Sequence, residues 1–229
     1  MNNNKERKFK VTNTGLIRWA GLFAILAGIL YIVIQFIHPA DNISSVNSDS
    51  WVMVACLTVA MSIFNLIGII GIYTKQVEES GWLGLVGFLI FSLFWLASTA
   101  FSFIEAFVLP MLTNDAPEYV TGFLGIFGGN ESEVNLGVLP ALAPIAGGLY
   151  TLGGLLLGIA TFRANVLPRL AAALLAIAAV VTLAAAIIPH PLDRLLAVPM
   201  GIALIWLGYA LWSGREKNIK NLSNVSLEV

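Results

Sequence analysis

Residues 19–40, WAGLFAILAGILYIVIQFIHPA, decide the structural class of this chain. These 22 residues contain no Asp, Glu, Lys or Arg. At about 1.5 Å per residue, a helix of this length crosses a hydrocarbon core of about 30 Å. A polar, basic head before an apolar run is also typical of a signal peptide, but this run is too long and no small-x-small cleavage site follows it. We therefore expect an uncleaved first membrane helix.

Five further apolar runs of spanning length follow, at 50–74, 80–109, 134–162, 170–192 and 195–214, and Glu105 is the single charge that lies within any of them. The sequence predicts an all-α polytopic membrane protein whose six helices form three hairpins, with the boundaries 19–40, 51–74, 82–109, 139–162, 169–189 and 195–213. A basic segment, 1–18, precedes the helices, and a polar tail, 214–229, follows them. The longest connection is the loop 110–138 between the third and fourth helices.

The composition supports a membrane protein and excludes several other classes. Hydrophobic residues make up 58% of the chain and charged residues 11%, with a mean hydropathy of +0.87. A soluble domain carries about 25% charged residues. The net charge of -1, without a basic patch interleaved with aromatic residues, argues against nucleic acid as a partner. The single cysteine, Cys56, excludes an internal disulfide.

The basic residues predict the orientation of the helices, because cytoplasmic loops are enriched in Lys and Arg. With the N-terminus inside, the outer segments contain only Arg194, and the inner segments hold the other eleven basic residues, which are Lys5, Arg7, Lys8, Lys10, Arg18, Lys75, Arg163, Arg169, Arg215, Lys217 and Lys220. Both termini should then be cytoplasmic. The predicted location is the plasma membrane of a bacterium, with the lipid bilayer as the first partner. Trp19, Trp82 and Trp212 fall at the inner boundary and Trp51 at the outer one, as in an aromatic belt.

The outer loop 110–138 contains a candidate short helix. Asp115-Ala116-Pro117 is typical of a helix start, and Gly128-Gly129 is a stop signal. Five large apolar or aromatic residues lie between these signals, namely Tyr119, Phe123, Leu124, Ile126 and Phe127. Such a helix suits a position on the outer interface, where it either covers a site or forms an ordinary surface turn.

A four-residue pattern occurs twice, as His38-Pro39-Ala40-Asp41 and His190-Pro191-Leu192-Asp193, and it includes the only two histidines. The rise per residue places His38 about 28 Å above Trp19 and His190 about 31 Å above Arg169. It places Glu105 about 35 Å above Trp82, and helix tilt would lower this height. The two histidines and Glu105 should therefore lie in one band at the outer edge of the membrane core.

Two imidazoles and a carboxylate are a donor set that suits Zn²⁺ or Fe²⁺. The candidate metal ligands are His38, His190, Glu105, Asp41 and Asp193, and the candidate ligand-binding residues are Gln35, Glu105, Ser98 and Ser102. Haem is less favoured, because the histidines lie at the water edge and no C-x-x-C-H motif is present. The alternative is that Pro, His and Asp only end one helix and cap the next.

Three short segments resemble a family of uncharacterised six-helix bacterial membrane proteins. They are Arg18-Trp19-Ala20-Gly21, Ile104-Glu105-Ala106 and the turn from Thr161 to Arg169. The resemblance extends over most of the chain and implies the same fold, but it supplies no activity.

Two functional hypotheses follow from the sequence, and catalysis stays open in the first of them. One is an outward-facing polar site for a small amphiphile or lipid headgroup, with or without a metal. The other is a non-catalytic accessory or structural subunit that works with a membrane protein partner. An ion-driven transporter is disfavoured, because the predicted spans have no charged residue near their midplane.

Overall fold

The computed structural model describes residues 12–128, 132–188 and 192–214, and within these ranges the secondary structure is helical, without a strand. The α-helices are α1 (Asn13–Ile37), α2 (Ile43–Val46), α3 (Asp49–Lys75), α4 (Val77–Phe107), α5 (Leu109–Leu112), α6 (Pro117–Gly128), α7 (Leu142–Ala164), α8 (Arg169–Val181) and α9 (Val198–Ser213). Three short 3-10 segments accompany them, at Leu139–Ala141, Thr182–Ile187 and Leu192–Ala197.

Five helical segments of the described chain are long and apolar enough to cross a membrane. They are Asn13–Ile37, Asp49–Lys75, Val77–Phe107, Leu139–Ala164 and Leu192–Ser213. The chain is therefore a helical membrane protein. The predicted helix over 169–189 is different, because its α-helical part, α8, has only 13 residues and continues as a 3-10 segment to Ile187.

Several helices begin at other residues than the predicted spans. Helix α1 begins at Asn13, six residues before the predicted start, because the Thr12 side chain accepts a hydrogen bond from the Gly15 N–H at 3.1 Å. Helix α4 begins at Val77 and contains a break at Gly81, whose φ of 56° favours glycine. The last helix begins as a 3-10 segment and becomes α-helical at Val198.

Local signals account for other helix ends. The Ser48 side chain accepts a hydrogen bond from the Trp51 N–H and so caps α3, whose last turn contains Lys75. Asn165, with φ 55°, ends α7, and Gly214, with φ 63°, ends α9. Both adopt the left-handed conformation that commonly stops a helix.

The six longest helices form a closed ring in chain order. Helix α1 packs against α3, α3 against α4, α4 against α7, α7 against α8 and α8 against α9, and α9 closes the ring against α1. Helices α1, α4 and α8 thus alternate with the other three. We call the end of this bundle that holds His38 and Glu105 the His38 end, and the opposite end, which holds Arg18 and Lys75, the Lys75 end.

Glycine pairs allow α1 and α9 to approach closely. A Cβ atom on Gly28 would lie 2.5 Å from the Gly201 carbonyl oxygen, and one on Gly21 would lie 2.7 Å from the Gly208 carbonyl oxygen. Within lipid, the hydrophobic effect does not drive helices together, and their association depends on close van der Waals packing. Small residues such as these glycines permit that packing. Gly21 and Gly28 of α1 therefore allow α9 to close the ring.

Large side chains fill the middle of the bundle. Phe91, Trp95 and Leu204 are fully buried in a cluster to which all six ring helices contribute. A second cluster lies at the His38 end, where Phe123 of α6 and Leu109 of α5 pack with Trp51 of α3. The outer loop thus contains the expected short helix as α6, and its apolar face is packed against the bundle.

Candidate functional site

A cavity of about 640 Å³ opens at the His38 end of the bundle. It is bounded by the end of α1, by α4, by the covering helix α6 and by the segments on either side of residues 189–191. Its lining residues are His38, Ala40, Asp41, Phe101, Glu105, Leu124, Phe127, Ala185, Ile188, Asp193 and Arg194.

Four of the residues selected from the sequence line this cavity, namely His38, Asp41, Glu105 and Asp193. They come from three parts of the chain that are distant in sequence, and the ring places those parts around one opening. His190, the fifth candidate metal ligand, lies outside the described residues. The cavity therefore brings the polar groups together, while their role as ligands stays a prediction.

Arg194 stands at the centre of the polar contacts in this cavity. Its Nη2 atom lies 3.5 Å from Asp41 Oδ2 and 3.2 Å from His38 Nδ1. His38 Nδ1 also lies 2.8 Å from the Pro39 carbonyl oxygen and 3.8 Å from Asp41 Oδ1. A ring nitrogen either donates or accepts, so the tautomer of His38 decides whether Nδ1 accepts from Arg194 or donates to Pro39.

Sequence reasoning missed Arg194 as a site residue. It used this arginine only to count charges on the two sides of the membrane. A signal was available, because Arg194 is the single basic residue of the predicted outer segments and directly follows Asp193. A lone cation among outer carboxylates is a natural partner for them.

Trp51 positions the end of α4, and the prediction that it belongs to an aromatic belt was wrong. It is only 2% exposed, whereas Trp82 is 81% exposed. Its Nε1–H donates to the backbone carbonyl oxygen of Glu105 at 3.0 Å. This carbonyl lies in the last turn of α4, where helix geometry leaves oxygens without an intrahelical partner. The Trp51 ring also meets the His38 ring edge-on, with 5.7 Å between the centroids.

The Glu105 side chain is half-buried and faces the cavity. Ser102 lies one turn earlier on α4 and is 3% exposed. Among the described residues, no basic side chain lies within the 4.0 Å of Glu105 that would make an ion pair. Arg194, the described arginine of the cavity, is paired with Asp41 and does not neutralise Glu105 directly.

Two other selected residues point elsewhere. Gln35 donates from Nε2 to the Tyr31 carbonyl oxygen of its own helix at 3.0 Å, and it does not line the cavity. The Ser98 hydroxyl lies 3.0 Å from that of Ser62 on α3, so it joins two helices. Neither residue lines the polar cavity, because position along a helix sets the depth of a side chain but not the direction in which it points. Their role as ligand-binding residues stays a prediction.

The described residues contain no group of three or more His, Cys, Asp or Glu side chains that could hold a metal ion. Arg194 takes the position beside His38 and Asp41 that a cation would need, and its positive charge disfavours a metal there. The predicted zinc or iron site thus gains no support from this part of the chain.

An apolar pocket of about 220 Å³ lies next to the polar cavity, between α4 and α7. Phe101 and Phe127 line both spaces, and their rings meet edge-on with 4.8 Å between the centroids. The other residues of the pocket are Phe94, Ala97, Ser98, Leu142, Ile145, Ala146 and Leu149. A charged cavity and an apolar pocket thus share one aromatic wall.

Comparison with known proteins adds no family to these observations. No family model matches the chain, and no curated protein or solved structure matches it. The resemblance to six-helix bacterial membrane proteins therefore stays a prediction.

Proposed function

We propose that the protein binds a small amphiphile or lipid headgroup in the cavity at its His38 end. One observation carries this proposal: a cavity of about 640 Å³ with charged walls adjoins an apolar pocket of about 220 Å³. An amphiphile needs both surfaces, since its polar group requires charged or hydrogen-bonding partners and its chain favours apolar walls.

The proposal includes an orientation in which six segments cross the membrane and both termini are cytoplasmic. The 13 residues of α8 and the 6 residues of the following 3-10 segment extend about 20 Å and about 12 Å, at their usual rises. Their sum, about 32 Å, is sufficient for a sixth span. The excess of basic residues at the Lys75 end supports a cytoplasmic position for that end.

In this orientation the His38 end faces the outside of a bacterial plasma membrane, and α6 covers the cavity from that side. Phe123 and Val120 of α6 are fully buried against the bundle, while Leu124 and Phe127 line the cavity. The helix that closes the outer face therefore also supplies part of the ligand-contacting wall.

Binding of four probes to the purified protein in a maltoside detergent tests the proposal. The probes are decylamine, decanol, decanoate and lysophosphatidylcholine, and saturable binding is measured by calorimetry and by the shift of the thermal unfolding midpoint. We expect at least one probe to bind. Leu124→Trp, which fills the cavity, should weaken that binding at least about tenfold. Leu89→Trp is the matched control, because Leu89 is 50% exposed on the outer surface of α4.

Two other results of this experiment would lead to different conclusions. If none of the four probes binds saturably, the amphiphile proposal is wrong, and the accessory-subunit hypothesis takes its place. Binding that is lost with a chelator and restored by Zn²⁺ or Fe²⁺ would favour the metal-assisted version of the site, in which His190 takes part.

A further inference from the structure

We infer that the ligand is a single-chain amphiphile with an ammonium headgroup. The headgroup lies beside Glu105 in the polar cavity, and the chain lies in the apolar pocket between α4 and α7. This inference rests on the proposed function and adds the charge and the shape of the ligand.

The charge of the cavity favours a cation. Among the described residues, the carboxylates of Asp41, Glu105 and Asp193 line it together with the guanidinium of Arg194. Arg194 lies against Asp41, and no basic residue of the described chain pairs with Glu105. A half-buried carboxylate is costly unless an opposite charge accompanies it, because the surrounding apolar side chains solvate it poorly. A bound ammonium group would supply that charge.

An anionic headgroup fits this cavity less well. It would meet the Glu105 carboxylate, and the guanidinium among the described lining residues, that of Arg194, already contacts Asp41 and His38. A phosphate or carboxylate site usually has several Lys or Arg donors or a free helix N-terminus. An anionic headgroup should therefore bind more weakly than a neutral headgroup of the same size.

The apolar pocket is suited to an alkyl chain. Ser98 is the single polar residue among the described residues that line it, and the Ser98 hydroxyl already lies 3.0 Å from the Ser62 hydroxyl. Ile145, on the α7 side, is 56% exposed, so the pocket borders the surface that faces lipid. A chain can thus enter from the bilayer while its headgroup stays on the far side of the Phe101 and Phe127 rings.

Three probes with the same chain test the headgroup in the wild-type protein. Decylamine, which is an ammonium at neutral pH, should bind at least about tenfold more tightly than decanol, and decanoate should bind weakest. Glu105→Gln should remove most of the preference for the amine over the alcohol. Glu118→Gln is the matched control, since Glu118 lines a different cavity on the outer side of α6.

A second pair of variants tests the chain. Ala97→Phe fills the apolar pocket and should weaken decylamine binding at least about tenfold, whereas Leu96→Phe, at a 58% exposed position of the same helix, should not. In the wild type, each methylene between hexylamine and decylamine should raise the affinity about fourfold. In Ala97→Phe this dependence on chain length should flatten while the amine preference remains.

The failures of the two proposals can be told apart. Equal binding of decylamine, decanol and decanoate to the wild type overturns the ammonium inference and leaves amphiphile binding intact. If these three probes and lysophosphatidylcholine all fail to bind, the proposed function itself is contradicted. The headgroup comparison requires no variant, so it decides the inference even if Glu105→Gln does not fold.

Discussion

Replacement of Trp51 by Phe should destabilise the protein much more than the same replacement of an exposed tryptophan does. The indole is 2% exposed, and its N–H donates to the Glu105 carbonyl oxygen at 3.0 Å. Phenylalanine keeps an aromatic ring but has no donor. The carbonyl would then be buried in the last turn of α4 without this partner.

The expected cost combines two effects. An acceptor left without its hydrogen bond in a buried place costs about 1–3 kcal/mol. The smaller ring leaves a gap beside His38, so some packing energy is lost as well. Taking about 2 kcal/mol as the sum, the unfolding midpoint should fall by about 4–8 °C for a chain of this size.

Cys56 provides the assay, because it is the single cysteine of the chain and is partly buried in α3. A dye that fluoresces on reaction with thiols reports the temperature at which this cysteine becomes accessible. Trp19→Phe and Trp82→Phe are matched controls, since these tryptophans are 63% and 81% exposed, and each should change stability by less than about 0.5 kcal/mol. Equal midpoints for Trp51→Phe and the two controls would refute the proposed role of the hydrogen bond.

Three further predictions concern packing. Gly28→Ala should lower the free energy of unfolding by about 1–3 kcal/mol, because the new Cβ meets the backbone of α9. Gly148→Ala is the control and should be neutral or slightly stabilising, because nothing lies within 4 Å of a Cβ at that position. Equal unfolding midpoints for the two variants would contradict this prediction. Phe123→Ala should loosen α6 and expose residues 110–128 to limited proteolysis, and an unchanged cleavage pattern would argue against packing by this side chain. Thr161→Val should destabilise by about 1–3 kcal/mol, because the fully buried Gln76 amide loses its 2.6 Å acceptor. Adding Gln76→Leu should recover part of that loss, and a double variant less stable than Thr161→Val would oppose it.

Much of the site could be placed by depth from sequence alone. A helix advances by a constant rise, so the distance of His38 and Glu105 from charged or aromatic boundary residues sets their height in the membrane. The direction in which a side chain points is harder to predict, since all faces of these helices are apolar and contact with lipid does not favour one face over another. Gln35 and Ser98 were assigned to the polar site on depth, yet they turn toward their own helix and toward α3.

The sequence by itself determined that the chain is a helical membrane protein, because long uncharged runs have no other stable environment. Through the rise per residue, it also placed His38 and Glu105 at the same end of the bundle, where both line one cavity. Only the tertiary structure decided that Arg194 meets His38 and Asp41, and that Trp51 is buried under α6. These contacts depend on which helices become neighbours and how each is rotated, which follows from close packing at residues such as Gly28 and Gly201 and not from hydropathy.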